Sequence, residues 1–362
     1  MLPDARFVKR FEEIGNEDRP SVGGKGASLG ELTCAGIRVP PGIVVTIAAF
    51  EKFFAAADPQ NEIRREIELL SPDDLQRVSL VTNRIRNQME VAKFPSDVEA
   101  EVAAHYQELA AAESESRDLE PVAVRSSATS EDSADASFAG LQDTYLWVRG
   151  ANEVIAHVRN CWASLYAQES VVYRRKKKLP EQGLAMGVVI QRMIDSRTSG
   201  VMFTCSPTSG DPSVVVIEAS WGLGSAIVSG EVTPDKFVVG KVTGEIFSRA
   251  ITKKLRLHKP NFLGCGVLAE DVPAALQSAP CVSDSEIREL VEIAKRVERR
   301  YGCPQDIEWA IARNATSGED IFLLQSRPET TWTAKETAPV ATPKRKAFDH
   351  VFSLLSRGAG RK

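Results

Sequence analysis

Residues 121–144 read PVAVRSSATSEDSADASFAGLQDT, an apolar strand that passes through an arginine into a loop of small hydroxyl residues. Arg125 follows three apolar residues, so we expect its guanidinium at a strand end, where its planar fork of donors suits phosphate oxygens. Further residues of the stretch supply hydroxyl groups or close backbone approach: Ser126, Ser127, Thr129, Ser137, Gly140 and Thr144. The stretch predicts a phosphate-binding loop, and a flexible serine-rich loop is the structural alternative.

A second anion-binding signal lies nearer the N-terminus, in VGGKGASLGEL at residues 22–32. Glycines surround Lys25 there, and a short helix is expected to follow and end at Gly36. A glycine-flanked lysine at a helix start suits an anion. The segment is not a P-loop, because Arg19 stands where that motif needs glycine and Gly26 where it needs Ser or Thr. The alternative is a glycine turn with a solvated lysine.

The composition limits the classes of protein that this chain can belong to. With 362 residues, it is long enough for two or three compact units. A net charge of −4 argues against a general nucleic-acid binder. The six cysteines form no Cys-x-x-Cys pair, which is typical of reduced thiols in a cytoplasmic protein. No segment approaches the ~20 apolar residues that span a bilayer, so we expect a protein that is neither secreted nor membrane-embedded.

Helices and strands are predicted in separate parts of the chain. Residues 47–112 are expected to be largely helical, with breaks at Ser71-Pro72 and Phe94-Pro95. Apolar, β-branched runs then predict a sheet over the middle of the chain, beginning with AMGVVIQRMI at 185–194. The basic run RRKKKL at 174–179 is interpreted as a solvated helix end.

The segments at 221–230 and 283–302 each resemble a known sequence pattern. WGLGSAIVSG at 221–230 does not fit the dinucleotide fingerprint, because Ile227 occupies the third glycine position. Residues 283–302 predict a helix that begins with a capping box of Ser283 and Glu286 and ends at Gly302.

Residues 305–312 and 321–328 predict an antiparallel hairpin joined by a polar turn. Pairing of Ala312 with Ile321 across that turn would fix the register of the two strands. Side chains alternate between the two faces of each strand. Polar residues therefore share one face of the hairpin near its open end.

In that register Glu308 faces Gln325, and Asp306 faces Arg327. Opposed side chains have Cβ atoms roughly 5 Å apart, close enough for a carboxylate and an amide oxygen to share one Mg²⁺ ion. Arg327 would then meet a phosphate group. The structural alternative is an edge hairpin with a surface Asp–Arg pair.

Six blocks of the sequence together resemble the N-terminal ATP-binding module of phosphoenolpyruvate synthase and pyruvate phosphate dikinase. The blocks are VGGKGASLGEL, VAVRSSATSEDSADASFAGLQDT, VIQRMI, SGVMFT with Pro207, GLGSAIVSGEVTPD, and DIEWAI followed by LLQSRP. The resemblance extends from Gly15 to Pro328. It implies an α+β, ATP-grasp-like fold of two lobes with a helical insertion in the first. The expected domains are an N-terminal lobe at 1–190, a C-terminal lobe at 191–334, and a linker with a short amphipathic tail at 335–362.

The resemblance also implies roles for individual residues. ATP would be bound by Lys25 and Arg125 at its phosphates, Gly140 and Thr144 in a covering loop, and Gln191 and Met193 at its adenine. Glu308 and Gln325 match the family's Mg²⁺ ligands, and Arg327 matches the arginine that neutralises the transferring group. Lys25, Arg125 and Arg327 are therefore the expected catalytic residues. The sequence departs from the family at Ser225, where members often carry Glu, and in its long turn at 313–320.

The family mechanism requires a histidine that accepts the β-phosphoryl group of ATP. The four histidines of the sequence lack the family's glycine-rich Ser/Thr-His context. The resemblance thus implies the ATP-binding subunit of a split dikinase, which forms AMP and phosphate and whose phosphohistidine and acceptor-binding domains lie on a separate chain.

The identity of the final acceptor is open at this point. Phenol, as in the family member phenylphosphate synthase, is the favoured acceptor, and pyruvate-directed or rifampin-directed systems are alternatives. A non-catalytic nucleotide-binding subunit and a self-sufficient kinase that forms ADP are the other hypotheses. The tail, with Phe348, Val351, Phe352 and Leu355 at helical spacing, is expected either to dock a partner or to fold back on the body.

Overall fold

The computed structural model describes residues 6–111, 120–128, 132–133, 136–137, 143–313, 320–330 and 332. The chain divides into two compact units, Met1–Glu329 and Thr330–Lys362. The predicted tail helix and Gly140 lie outside the described residues. The first unit is a mixed α/β structure with antiparallel sheets, which confirms the predicted class at that level.

The strands follow the apolar runs of the sequence. In chain order they are β1 (Val8–Arg10), β2 (Gly42–Val45), β3 (Val122–Ala128), β4 (Asp132–Ser133), β5 (Ala136–Ser137), β6 (Thr144–Val148), β7 (Met186–Arg192), β8 (Ser196–Phe203), β9 (Val214–Trp221), β10 (Asp235–Gly240), β11 (Ile246–Ala250), β12 (Arg256–Pro260), β13 (Val267–Asp271), β14 (Gln305–Ala312) and β15 (Ile321–Pro328). The sheet predicted in the middle of the chain is confirmed, whereas the ladder of β12 with β13 was not predicted.

The helices are α1 (Arg19–Cys34), α2 (Ile47–Ala57), α3 (Glu62–Leu69), α4 (Leu75–Val91), α5 (Ser96–Ala111), α6 (Ala151–Ser164), α7 (Gln168–Lys176), α8 (Ser225–Val228) and α9 (Asp284–Tyr301). The predicted helical stretch is confirmed as α2 to α5, with an additional break between Ala57 and Glu62. Helix α9 has the predicted capping box and ends at Gly302, whose φ of 69° suits a glycine. No helix in the described part of the chain is both long and apolar enough to cross a membrane.

The strands form two large sheets that are joined where β7 ends and β8 begins. The first sheet has the order β1-β2-β7-β3-β6, and the second has the order β11-β10-β9-β8-β14-β15. Both faces of the first sheet are covered. Ile43 and Val45 belong to the core beneath the helices α2 to α7, whereas Val44 belongs to a smaller core with residues of α1. Successive strand side chains point to opposite faces, so this run is apolar throughout because both faces are buried.

The interpretation of the basic run at 174–179 as a solvated helix end is wrong for its first residue, Arg174. The Arg174 side chain is only 1% exposed and lies between two partners. Its Nε and Nη2 donate to the Glu181 carboxylate at 3.0 and 3.2 Å, and its Nη1 donates to the Leu165 carbonyl at 2.7 Å. Lys176 to Lys178 are exposed as predicted. The buried Glu181 carboxylate, seven residues along the chain, explains why one residue of a charged run is buried.

The ladder of β12 and β13 links the two large sheets at one edge. Its turn carries Phe262, whose ring meets the ring of Trp147 in β6 edge-on, with 5.6 Å between centroids. The backbone N–H of Gly266 donates to the Trp147 carbonyl at 3.2 Å. In the middle of β12, the His258 carbonyl accepts a hydrogen bond from the N–H of Leu223, which follows β9, at 2.8 Å.

Candidate functional site

The two segments predicted to bind anions, at 22–32 and 121–144, contact each other at the kink of α1. Gly23 has φ 76° there, and a Cβ on it would lie 1.9 Å from the Ser127 carbonyl oxygen, so only glycine fits. The N–H of Gly26 donates to the Ser127 Oγ at 3.0 Å. Since Ser127 is two residues beyond Arg125 in β3, the turn that carries Lys25 is bound to the arginine strand.

The guanidinium of Arg125 lies across the open end of the β14–β15 hairpin and is 9% exposed. Its Nη2 donates to the Glu308 Oε2 at 3.1 Å and to the Gln325 Oε1 at 2.5 Å. Its Nη1 donates to the Leu324 carbonyl at 3.0 Å. The buried Nε has no hydrogen-bond partner among the described residues, so the protein does not use every donor of this fork.

The hairpin has the predicted pairing at the site and a different one beyond it. Glu308 pairs with Gln325 as predicted, but Trp309 pairs with Leu323, so Leu324 is an extra residue in β15. Such a β-bulge takes the carbonyl of the extra residue out of regular pairing. That carbonyl is the one that accepts from Arg125. The prediction that Ala312 pairs with Ile321 is wrong, because the bulge moves Ile321 opposite Ile311.

The residues predicted to bind Mg²⁺ have oxygens that converge on one cationic atom. The Glu308 carboxylate and the Gln325 amide oxygen both accept from the same nitrogen of Arg125. They are hard oxygen donors of the kind that Mg²⁺ prefers, so the residues fit the ion. Among the described residues, no cluster of three or more His, Cys, Asp or Glu side chains could hold a metal. An ion bound by Glu308 and Gln325 would therefore need further oxygens from a phosphate or water.

Arg327 and Asp306 form the predicted cross-strand pair next to this point. Their register is confirmed, and the Arg327 Nε lies 3.4 Å from the Asp306 Oδ2. Burial raises the pKa of the Asp306 carboxyl, and the neighbouring Arg327 charge offsets only part of that rise. The Arg327 side chain is 46% exposed. The pair thus presents a solvent-accessible guanidinium beside the Glu308 carboxylate.

A cavity of about 350 Å³ lies between the two sheets, with Arg125 and Glu308 in its wall. This volume lies within the range of small-molecule sites. Of the predicted site residues, Arg125, Thr144, Gln191, Met193 and Glu308 line it, whereas Lys25, Gln325 and Arg327 do not. Most of the remaining wall is apolar and includes Leu146, Ile194, Val201, Leu223, Ile227 and Val228. The cavity therefore has a charged end and an apolar body, as a nucleotide requires.

Gln191 and Met193 lie where the chain crosses from the first sheet to the second. The Gln191 side chain is 2% exposed and its Nε2 donates to the Pro40 carbonyl at 3.3 Å. The backbone N–H of Met193 donates to the Pro121 carbonyl at 2.9 Å. Both residues are thus held in place from the first sheet while they line the cavity.

Sequence reasoning noted Ser225 only as a departure from the family and missed the group of polar residues to which it belongs. Ser225 lines the cavity, and its Oγ lies 2.8 Å from the Nδ1 of His258. The Nε2 of His258 lies 3.2 Å from the Glu231 Oε2. The alternating run RLHKP at 256–260 could have indicated the strand that carries His258. No local signal could have placed that strand beside Ser225.

The chain matches a known domain family over most of its length. Residues 19–347 match the family described as pyruvate phosphate dikinase, AMP/ATP-binding domain.

The curated relatives include a probable phosphoenolpyruvate synthase of Methanothermobacter thermautotrophicus, which is 40% identical over 90% of this chain and 46% of the relative. The phosphoenolpyruvate synthase of Pyrococcus furiosus is 37% identical over 93% of this chain and 45% of the relative. The rifampicin phosphotransferase of Streptomyces sviceus is 38% identical over 90% of this chain and 36% of the relative. The chain thus spans less than half the length of each of these three proteins.

Proposed function

Because the chain belongs to the pyruvate phosphate dikinase AMP/ATP-binding domain family, we propose that the cavity between its sheets binds Mg²⁺·ATP for phosphoryl transfer. We further propose that the sheets act as the two lobes of an ATP-grasp-like fold. The observation that carries the proposal is the convergence of Arg125, Glu308 and Gln325, the first two of which form the charged end of a mainly apolar cavity. An adenine suits the apolar body of such a cavity, and a triphosphate suits its charged end.

In this proposal each predicted residue has one task. Arg125 leaves its carboxylate and amide partners and binds phosphate oxygens. Lys25, at the kinked start of α1, supplies a second cation to the phosphates. Arg327 stabilises charge on the group in transfer. When bound, Mg²⁺ would supply charge neutralisation between Glu308, Gln325 and the phosphates.

The proposed acceptor of the phosphoryl group is a histidine on a separate chain. Its ring nitrogen forms a bond to the β-phosphorus, the bond from that phosphorus to the oxygen of AMP breaks, and AMP leaves. The terminal phosphate is then lost to water as inorganic phosphate. Support comes from the histidines that the structure describes: His105 bonds the Glu101 carbonyl, His157 stacks on Tyr145, and His258 lies between Ser225 and Glu231.

The final acceptor is proposed to be phenol, as the resemblance to phenylphosphate synthase implies. The rifampicin phosphotransferase among the relatives supports an antibiotic acceptor as the second candidate. Pyruvate, the third candidate, follows from the relatives named phosphoenolpyruvate synthase.

The test combines binding and product analysis. Calorimetry with Mg²⁺ and ATP measures binding by the chain alone, and β-labelled ATP measures AMP formation with and without a candidate histidine-bearing partner chain. We expect ATP binding by the lone chain, and AMP with labelled protein only when the partner is present. Arg125→Ala should abolish both signals, whereas Arg84→Ala, an exposed arginine of α4, should leave them intact.

Each other outcome points to a different function. ADP from the lone chain would mean an ordinary kinase. ATP binding that is independent of Mg²⁺ and yields no product would mean a regulatory subunit. Failure of the chain to bind ATP would overturn the proposal.

A further inference from the structure

Ser225 lies in the wall of the cavity at the start of the short helix α8. Its distance from the charged end follows from the strand beside it. A Cβ on Gly224 would lie 3.5 Å from the Ser199 Oγ. Ser199 is two residues along β8 from Val201, which pairs with Glu308. At the rise of a strand, Ser199 lies about 7 Å along β8 from Val201, so the turn at Gly224 and Ser225 is offset from the charged end by roughly the scale of a sugar.

The hydrogen bonds of His258 fix the direction of the Ser225 hydroxyl. Glu231 is ionised at neutral pH, since hydrogen bonds from Ser229 and then His258 lower its pKa. An ionised carboxylate only accepts hydrogen bonds, so the His258 Nε2 must carry the proton that meets it at 3.2 Å. When the ring is neutral, its Nδ1 is an acceptor, and the Ser225 Oγ, 2.8 Å away, is the donor.

The Ser225 hydroxyl therefore already donates its proton to His258. Its oxygen keeps lone pairs that can accept a hydrogen bond, and no other hydrogen bond of this hydroxyl is formed within the described ranges of the chain. A ligand group that meets it in the cavity must therefore be a donor. Ribose hydroxyls are donors, whereas phosphate oxygens are not.

The His258 ring is held rigidly enough to impose this direction. The strand β12 passes against the turn that precedes Ser225, where Leu223 donates its N–H to the His258 carbonyl at 2.8 Å. Gly222 in that turn has φ 77°, and a Cβ on it would lie 2.3 Å from the same carbonyl oxygen. His258 itself is 8% exposed. Close backbone approach on one side and Glu231 on the other leave the ring little freedom.

We propose that Ser225 accepts a hydrogen bond from a ribose hydroxyl of the bound nucleotide, and that His258 and Glu231 are positioning residues that hold Ser225 as an acceptor. The site would thereby select ribonucleotides over their deoxy analogues. This inference rests on the proposed ATP site, and it assigns a sugar-recognition role to three residues that sequence reasoning had left without one.

The test is the ratio of dissociation constants, measured by calorimetry with Mg²⁺, for 2′-deoxy-ATP or 3′-deoxy-ATP against ATP. We expect the parent chain to bind ATP about tenfold more tightly than at least one deoxy analogue, as the loss of one hydrogen bond predicts. In Ser225→Ala that ratio should fall to about one, because ATP binding weakens and binding of the analogue does not. Ser225→Thr keeps the hydroxyl and should keep the ratio.

A second variant tests the positioning role. His258→Phe frees the Ser225 hydroxyl to rotate and should lower the ratio to about threefold, while thermal denaturation reports whether the chain stays folded. His105→Phe is the matched control, because His105 lies on α5, where its Nδ1 is 2.9 Å from the Glu101 carbonyl oxygen. It should keep the parent ratio.

The outcomes separate this inference from the function on which it rests. If the parent binds ATP but does not discriminate, or if Ser225→Ala keeps the parent ratio, the sugar-recognition role is overturned and the ATP site stands. An equal loss of affinity for ATP and both analogues in Ser225→Ala would also overturn it. If the parent does not bind ATP, the proposed function and this inference both fail.

Discussion

A single guanidinium organises the charged end of the cavity. Arg125 neutralises Glu308, occupies the Gln325 amide oxygen and satisfies the carbonyl that the bulge at Leu324 releases. The Glu308 side chain is 35% exposed, so water screens part of this ion pair. The arginine joins the two strands of the hairpin at this point, and an ion that took its place in the proposed site would have to supply an equivalent charge.

This arrangement predicts the behaviour of Glu308→Gln. The amide can still accept a hydrogen bond from Arg125, so the fold should persist, but the negative charge that would attract Mg²⁺ is lost. We expect AMP formation in the assembled system to fall at least about 100-fold, by analogy with the loss of a group that stabilises a transition state. The rate is measured at several Mg²⁺ concentrations. Glu292→Gln, at an exposed position of α9, should keep the parent rate, and a parent-like rate in Glu308→Gln would contradict the metal assignment.

The buried Arg174 yields a prediction about stability. Arg174→Ala removes one member of a fully buried ion pair and leaves Glu181 charged and unpaired, which costs about 3–5 kcal/mol of unfolding free energy. Denaturant unfolding followed by circular dichroism measures the change. Lys177→Ala, at an exposed position of the same basic run, should change stability by less than about 0.5 kcal/mol. Equal stabilities for the two variants would show that the pair contributes little.

At the scale of elements, α1 connects the site to both sheets. Its Gly26 N–H bonds Ser127 in β3, and its Ser28 hydroxyl donates to the Ser326 carbonyl in β15 at 2.8 Å. The kink at Gly23 brings the helix close enough for the first of these bonds. The contact of α1 with β3 therefore depends on Gly23, which has no side chain.

Gly23→Ala should separate α1 from β3. The methyl group would overlap the Ser127 carbonyl, and φ 76° is itself strained for alanine. We expect a loss of ATP affinity of tenfold or more, measured by calorimetry, together with reduced stability. Gly36→Ala is the control, because Gly36 also has positive φ, at 66°, but a Cβ there meets nothing within 4 Å. That variant should lose about 1 kcal/mol of stability and keep its ATP affinity.

Elements were predictable to different degrees from the sequence, for physical reasons. Period-two alternation predicted the hairpin, because each strand has a buried and an open face, whereas Glu308 was placed opposite Gln325 by the assumed pairing of Ala312 with Ile321. The bulge at Leu324 was not predicted, since an extra residue in one strand leaves no mark on local hydrophobicity. The contact of Arg174 with Glu181 and the placement of His258 beside Ser225 depend on tertiary packing, which the local pattern does not encode.

At the scale of the whole molecule, the cavity is built from both sheets of one compact unit. A ligand that touches both sheets stabilises the native state as a whole rather than one part of it. Mg²⁺·ATP at a hundred times its dissociation constant should add about 2.7 kcal/mol, which raises the melting temperature by about 4 °C for a unit of this size. Calorimetry should show one transition that shifts as a whole. A second transition that stays in place would show that the sheets unfold separately.

The contact between Phe262 and Trp147 should affect how fast a bound nucleotide leaves the cavity. The two sheets cannot move apart at this edge until an aromatic contact and the hydrogen bond from Gly266 to Trp147 are broken. A nucleotide bound between the sheets would therefore leave only after these two contacts break, and its residence time would depend on their strength. We expect Phe262→Ala to release bound nucleotide faster in stopped-flow chase experiments, with little effect on the phosphoryl-transfer step itself.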